Sequence, residues 1–74
     1  MNLYLLKRTD KYGHEEFISI VVSAETEQAA RETKPSTGYW CDGGHGEEKV
    51  TLSCTHIGIT ELPPGVIHES YQNP

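Results

Sequence analysis

Positive charge is scarce in this chain. Six Lys and Arg stand against eleven Asp and Glu, giving a formal net charge of −5. Binding a phosphate backbone needs clustered Lys and Arg, and the one basic pair, Lys7-Arg8, is too small a footprint. No direct nucleic-acid partner is therefore expected. No apolar run approaches the roughly 18 residues needed to span a bilayer, so no membrane partner is expected either. The opening Met1-Asn2-Leu3-Tyr4-Leu5-Leu6-Lys7-Arg8 is apolar first and basic second. That is the reverse of a secretory signal, and a cytoplasmic location is the expectation. There are two cysteines, Cys41 and Cys54. A disulfide between them would stabilise by about 3 kcal/mol, but a reducing compartment disfavours it. Internal repeats and low-complexity segments are absent.

What is present reads as one small domain over residues 1–74, an acidic α+β module. The stretch from Phe17 to Glu32 changes its apolar rhythm midway. Phe17 to Ala24 is β-branched and alternating, as a strand should be. From Thr26 the residues are Ala, Glu, Gln and Arg, strong helix formers. Thr26 is placed as an N-cap, Glu27 suits the positive end of the helix dipole, and Pro35 ends a helix running from about Glu27 to Thr33. Two helical turns are not stable alone and must dock on a sheet.

Before this unit, Leu3 to Leu6 form a strand with apolar groups on both faces, which argues for a central position. Thr9 to Glu16 reads as a polar hairpin loop. Residues 36–48, with four glycines around Tyr39-Trp40, form a glycine-rich loop. Lys49 to Ile59 is a strand whose apolar parity switches after Cys54, predicting a bulge or bend near Gly58. Val66 to Glu69 forms a short last strand, and residues 71–74 fray. The order is β-β-α-β-β: a small antiparallel sheet with one short helix packed on one face. Phe17, Val21 and Tyr4 are expected on the other face, where either the glycine-rich loop or a second molecule covers them. A homodimer and a protein-binding face are both open at this point.

The sharpest local pattern is Cys41-x3-His45 followed by Cys54-x-His56. Two thiols and two imidazoles are a donor set for structural zinc, and Cys54 and His56 project from the same strand face. The spacings match no standard zinc pattern, and Cys54 is in phase with Val50 and Leu52, as a core thiol would be. Cys41 is not expected to be a nucleophile, because Asp42, Glu47 and Glu48 disfavour its thiolate. The Gly43-Gly44-His45-Gly46 run lacks the lysine and helix of a phosphate loop. Glu15-Glu16 and Glu47-Glu48 read as solvated charges, and His14 and His68 as surface histidines. Tyr39 and Trp40 either plug the uncovered sheet face or form an interaction hot spot. No catalytic residue is assigned.

The pieces Leu3-Tyr4-Leu5-Leu6-Lys7-Arg8, Val21-Val22-Ser23-Ala24, Ala29-Ala30-Arg31, Ile57-Gly58 and Pro64-Gly65-Val66-Ile67 together resemble a group of short uncharacterised proteins of bacteriophages and prophages. The resemblance spans most of the chain in short pieces. It implies a phage-borne accessory protein acting in the host cytoplasm, and it supplies no catalytic residues or cofactor. The Cys/His set is not part of the shared pattern. The favoured expectation is a non-catalytic protein that binds and masks a host protein surface, one belonging to an antiviral defence system being a candidate. Its acidity would steer it toward a basic surface. The expected contacts are Tyr39, Trp40, Glu47, Glu48, Glu61 and Glu69. The alternative is a small zinc-stabilised domain built on Cys41, His45, Cys54 and His56.

Overall fold

The computed structural model describes residues 1–13 and 16–72, with Asp42 by its backbone alone. Four strands, β1 (Asn2–Arg8), β2 (Glu16–Ala24), β3 (Leu52–Ile59) and β4 (Gly65–Gln72), form one sheet in the order β3-β1-β2-β4. Every neighbouring pair is antiparallel. The β1–β2 hairpin is thus the centre, as the two-sided apolar character of β1 requires. The helix α1 (Glu27–Glu32) packs against β1, β2 and β3. No helix among the described residues is long and apolar enough to cross a membrane.

The helix starts where the sequence places it. Thr26 Oγ1 accepts from the amide of Ala29 at 3.1 Å. Thr33 is already extended, two residues before Pro35. Ala30 is fully buried against the sheet. Arg31 bridges Glu27 one turn earlier at 2.9 Å and donates to the Leu52 carbonyl on β3 at 3.0 Å, tying the helix to an edge strand.

Two strand limits differ from expectation. β3 begins at Leu52, not Lys49, because Glu47–Lys49 wind into a 3-10 turn. β4 is twice as long as expected. Tyr71 and Gln72 do not fray but pair with Phe17 and Glu16, and the Tyr71 ring meets Phe17 edge-on at 4.8 Å. Asn73 and Pro74, the rest of the expected frayed tail, lie outside the described residues. So do His14 and Glu15 in the hairpin loop.

Register shifts explain the larger differences. On β3 the shift falls between the partners of Leu3 and Tyr4, making Ile57 the extra residue, next to the expected Gly58. On β2 a shift between Phe17 and Ser19 makes Ile18 the extra residue, and on β4 another makes Ile67 extra. The Ile18 bulge inverts the parity of Phe17. Phe17 therefore joins the face of Ile20 and Val22, and Tyr4 shares that face through its pairing with Val22. Both belong to the core with Leu6, Ala24, Ala30 and Trp40, so their expected place on the uncovered face is corrected. Only Val21 of the three faces that way.

The glycine-rich loop also covers a different side than expected. Trp40 is 1% exposed and packs in the core beneath the helix, not on the opposite face. One layer of helix and loop covers one side of the sheet. Opposite lie three register rows: Ser53-Lys7-Ser19-Ser70, Thr55-Leu5-Val21-His68 and Gly58-Leu3-Ser23-Gly65.

Candidate functional site

Arg8 is the most heavily partnered charged side chain of the core. It follows Tyr4 and Leu6 at alternate positions of β1, which carries its guanidinium to the covered side. The Asp10 carboxylate receives Nε at 2.9 Å and Nη2 at 2.6 Å, and Glu16 receives Nη1 at 3.0 Å. The Phe17 and Lys11 carbonyls take further bonds at 3.2 and 3.3 Å. The Tyr12 ring lies 5.7 Å from the guanidinium carbon. A buried charge this well paired closes the hairpin loop by chemistry rather than by length. Hydrogen bonding to Arg8 lowers the Asp10 carboxyl to about 2. The Gly13 amide, and after it Arg8, hold Glu16 below the ordinary carboxylate range. Sequence reasoning weighed Lys7-Arg8 only as a basic footprint and gave Arg8 no structural role. The signal it missed was Arg8 falling in phase with Tyr4 and Leu6.

Two further carboxylates, expected on a contact surface, fasten the loop from within. Glu47 accepts the amides of Trp40 and Cys41 at 3.0 Å and the Lys34 ammonium at 3.1 Å. Burial pushes its carboxyl up, but these donors outweigh that and hold it below the ordinary range. Glu69 of β4 accepts the Ser36 amide at 2.5 Å and the Ser36 hydroxyl at 2.9 Å. Trp40, Glu47 and Glu69 therefore build the interior and its seams, because orphan loop amides need acceptors. Tyr39 is half exposed, and Glu48 and Glu61 are exposed.

The Cys/His set is dispersed. Cys41 is buried beside Glu16 and Arg8, and burial followed by a hydrogen bond to Glu16 pushes its thiol up to about 11. Such a thiol is protonated at neutral pH and a weak nucleophile. Cys54 is half-buried in the register row of Leu6 and Ile20, raised by burial and by Glu27. His56 packs edge-on against Tyr4 at 5.4 Å, with Nε2 3.1 Å from Asn2 Oδ1. His45 is exposed in the loop beside Gly43. Cys54 and His56 do share a strand face. Among the described residues, no three His, Cys, Asp or Glu side chains gather as a metal site would require. Both cysteines are free thiols.

What the molecule offers outward is a set of exposed aliphatic side chains at the end of β3 and in the turn that follows it. Ile59 is 79% exposed, and Ile57 and Leu62 are about half exposed at 50% and 49%. Local bonds anchor the segment that carries them. Ile59 pairs with Asn2, the Thr60 amide donates to the Met1 carbonyl at 2.9 Å, and Ser23 Oγ donates to the Leu62 carbonyl at 3.0 Å. Two exposed acids belong to the same region. Glu61 lies in the same turn, and the Glu25 carbonyl accepts from Asn2 Nδ2 at 3.0 Å. Sequence reading named Glu61 as a contact but not the isoleucines, which it read only as the apolar positions after the parity change in β3. Compared with family models, with curated proteins and with solved structures, the chain matches none of them.

Proposed function

We propose that this chain is a small non-catalytic accessory protein, phage-borne as its resemblance implies, that binds a host protein and masks part of its surface. The observation that carries the reading is the exposure of Ile57, Ile59 and Leu62, large aliphatic side chains on an edge strand and in the turn after it, with Glu61 in that turn. A domain of this size has a thin margin of stability, and exposing aliphatic groups brings it nothing as a monomer. A partner that desolvates them does gain. Glu61 and the net charge of −5 favour a target whose apolar patch is edged with Lys and Arg. Host proteins that handle nucleic acid carry such patches, which makes an antiviral defence protein a fitting target.

The test uses immobilised protein challenged with bacterial lysate, beside the double variant I59D/L62D, whose substitutions leave the core untouched. A discrete protein captured by the wild type, lost from the variant and weakened by high salt is the expected result. Equal capture by both proteins, or none by either, overturns the reading.

A further inference from the structure

The outer edge of β3 turns backbone hydrogen-bonding groups away from the sheet. The Thr9 amide donates to the Thr51 carbonyl and the Thr60 amide to the Met1 carbonyl, so Thr51 and Thr60 direct their peptide groups toward β1. Antiparallel strands alternate such residues with others whose peptide groups point the opposite way. With Ile57 as the bulge, the register makes Ser53, Thr55 and Gly58 face β1, and Leu52, Cys54, His56 and Ile59 face outward. Arg31 agrees with this phase, since it reaches the outward Leu52 carbonyl from the helix at 3.0 Å. It also closes the edge at that end. Beyond it, the peptide groups of Cys54, His56 and Ile59 have no partner among the described residues. Open edges are commonly guarded by Lys or Pro. Leu52–Ile59 holds neither, and no Asp, Glu or Arg. On the opposite edge strand, β4, Glu69 holds the start of the glycine-rich loop through Ser36.

We infer that the edge of β3 from Cys54 to Ile59 takes an extended segment of the host protein as an added strand, aliphatic along its length and carrying Lys or Arg where it passes Glu61. This rests on the host-partner reading and says how that partner is held. Outward donors and acceptors at strand spacing are the complement of another extended backbone. Ile57 and Ile59 stand on the same edge strand with exposures of 50% and 79%, giving the added strand apolar surface to cover. Glu61 follows two residues later and supplies the charge. A second copy fits this edge poorly. Twofold pairing of β3 with itself joins no more than Cys54 and His56 before the capped Leu52 or the Ile57 bulge intervenes. It also brings together two chains of net charge −5. A separate segment obeys no twofold and can follow the edge past Ile57.

Amide hydrogen exchange read by NMR on the whole chain decides it. The probe is a blocked synthetic peptide of alternating Val and Thr with Lys at both ends. In the protein alone, the amides of Ser53, Thr55 and Gly58 should exchange slowly and those of Cys54, His56 and Ile59 fast. At about 1 mM peptide, the second set should slow at least threefold. The same peptide N-methylated throughout, which has no backbone donors, should leave it unchanged. Ile57→Lys places a guarding charge on the edge and should weaken the peptide at least tenfold, with the circular dichroism of the native sheet retained. No slowing at 1 mM peptide overturns the inference, as does equal slowing by the N-methylated peptide. Slowing that appears without peptide as the protein is concentrated also overturns it, because a second copy is then the occupant. A host protein captured by the wild type and lost from I59D/L62D, with the edge amides untouched by peptide, sinks this inference and leaves the host reading standing. Edge amides slowed by peptide with nothing captured from lysate do the reverse.

Discussion

Arg8 and Trp40 are both buried and hold this fold in opposite ways. Trp40 contributes apolar surface and van der Waals contact. Trp40→Ala should cost about 3–5 kcal/mol, comparable to everything a domain of this size has in reserve. Far-ultraviolet circular dichroism at 25 °C should show a largely unfolded chain, with Trp40→Phe retaining the sheet. Arg8 acts through its partners. Asp10 has an ordinary carboxylate value of 3.8 and is held at about 2 in the fold. Its contribution is therefore complete above about pH 4 and is lost as pH falls toward 2. It amounts to on the order of 2 kcal/mol. Glu16 and Glu47 are shifted in the same direction and extend the loss upward toward their ordinary 4.5. Urea midpoints should be level from pH 7 to 5 and drop steeply below 4, and Asp10→Asn should lower the plateau and flatten the drop. A wild-type midpoint unchanged at pH 2.5 would contradict this account. At this scale the sequence yielded Trp40 only as one of two options. Whether an aromatic in a glycine loop turns inward depends on acceptors such as Glu47, seven residues away, that hold its amide.

At the scale of elements, the helix is the most legible part. Its cap, first turn and stop are local chemistry, and each stands where the sequence places it. Thr26→Ala should destabilise by about 1 kcal/mol, and Thr26→Ser by much less, as thermal melts can measure. The glycine-rich loop was legible as a loop and no further. Gly44 (φ +79°) and Gly46 (φ +81°) both adopt left-handed backbone, but a Cβ on Gly44 would meet the Tyr39 ring at 3.0 Å while one on Gly46 meets open space. Alanine at either position costs about 1 kcal/mol in backbone strain. Gly44→Ala should cost more than Gly46→Ala, by the shift it forces on Tyr39, and the difference in melting temperature checks this. The bulge on β3 announced itself because the apolar parity changes between Cys54 and Ile57. Those at Ile18 and Ile67 did not. Each follows another large apolar residue, Phe17 or Val66, so either member of the pair can be the one that faces inward and the pattern does not show the slip.

Across the whole molecule, charge and exposed apolar surface are sorted onto separate regions. The helix side is acidic, the opposite sheet face is nearly neutral, and the exposed aliphatic end of β3 has two glutamates in its region. Glu25→Lys together with Glu61→Lys should slow capture of a basic host partner about tenfold at low salt, with little change at high salt. Surface plasmon resonance against the protein recovered by capture measures it, and an unchanged association rate would remove the steering argument.

Composition and local pattern alone determined the α+β class, the central first strand, the short capped helix and the absence of a basic footprint, because each is written in residue types and spacings along a short stretch of chain. The tertiary structure alone decided which way Phe17, Tyr4 and Trp40 point, what Arg8, Glu47 and Glu69 hold, and that the Cys/His set lies dispersed. Those outcomes turn on one-residue slips between strands and on partners up to 33 positions apart. Spacing along the chain carries no information about either.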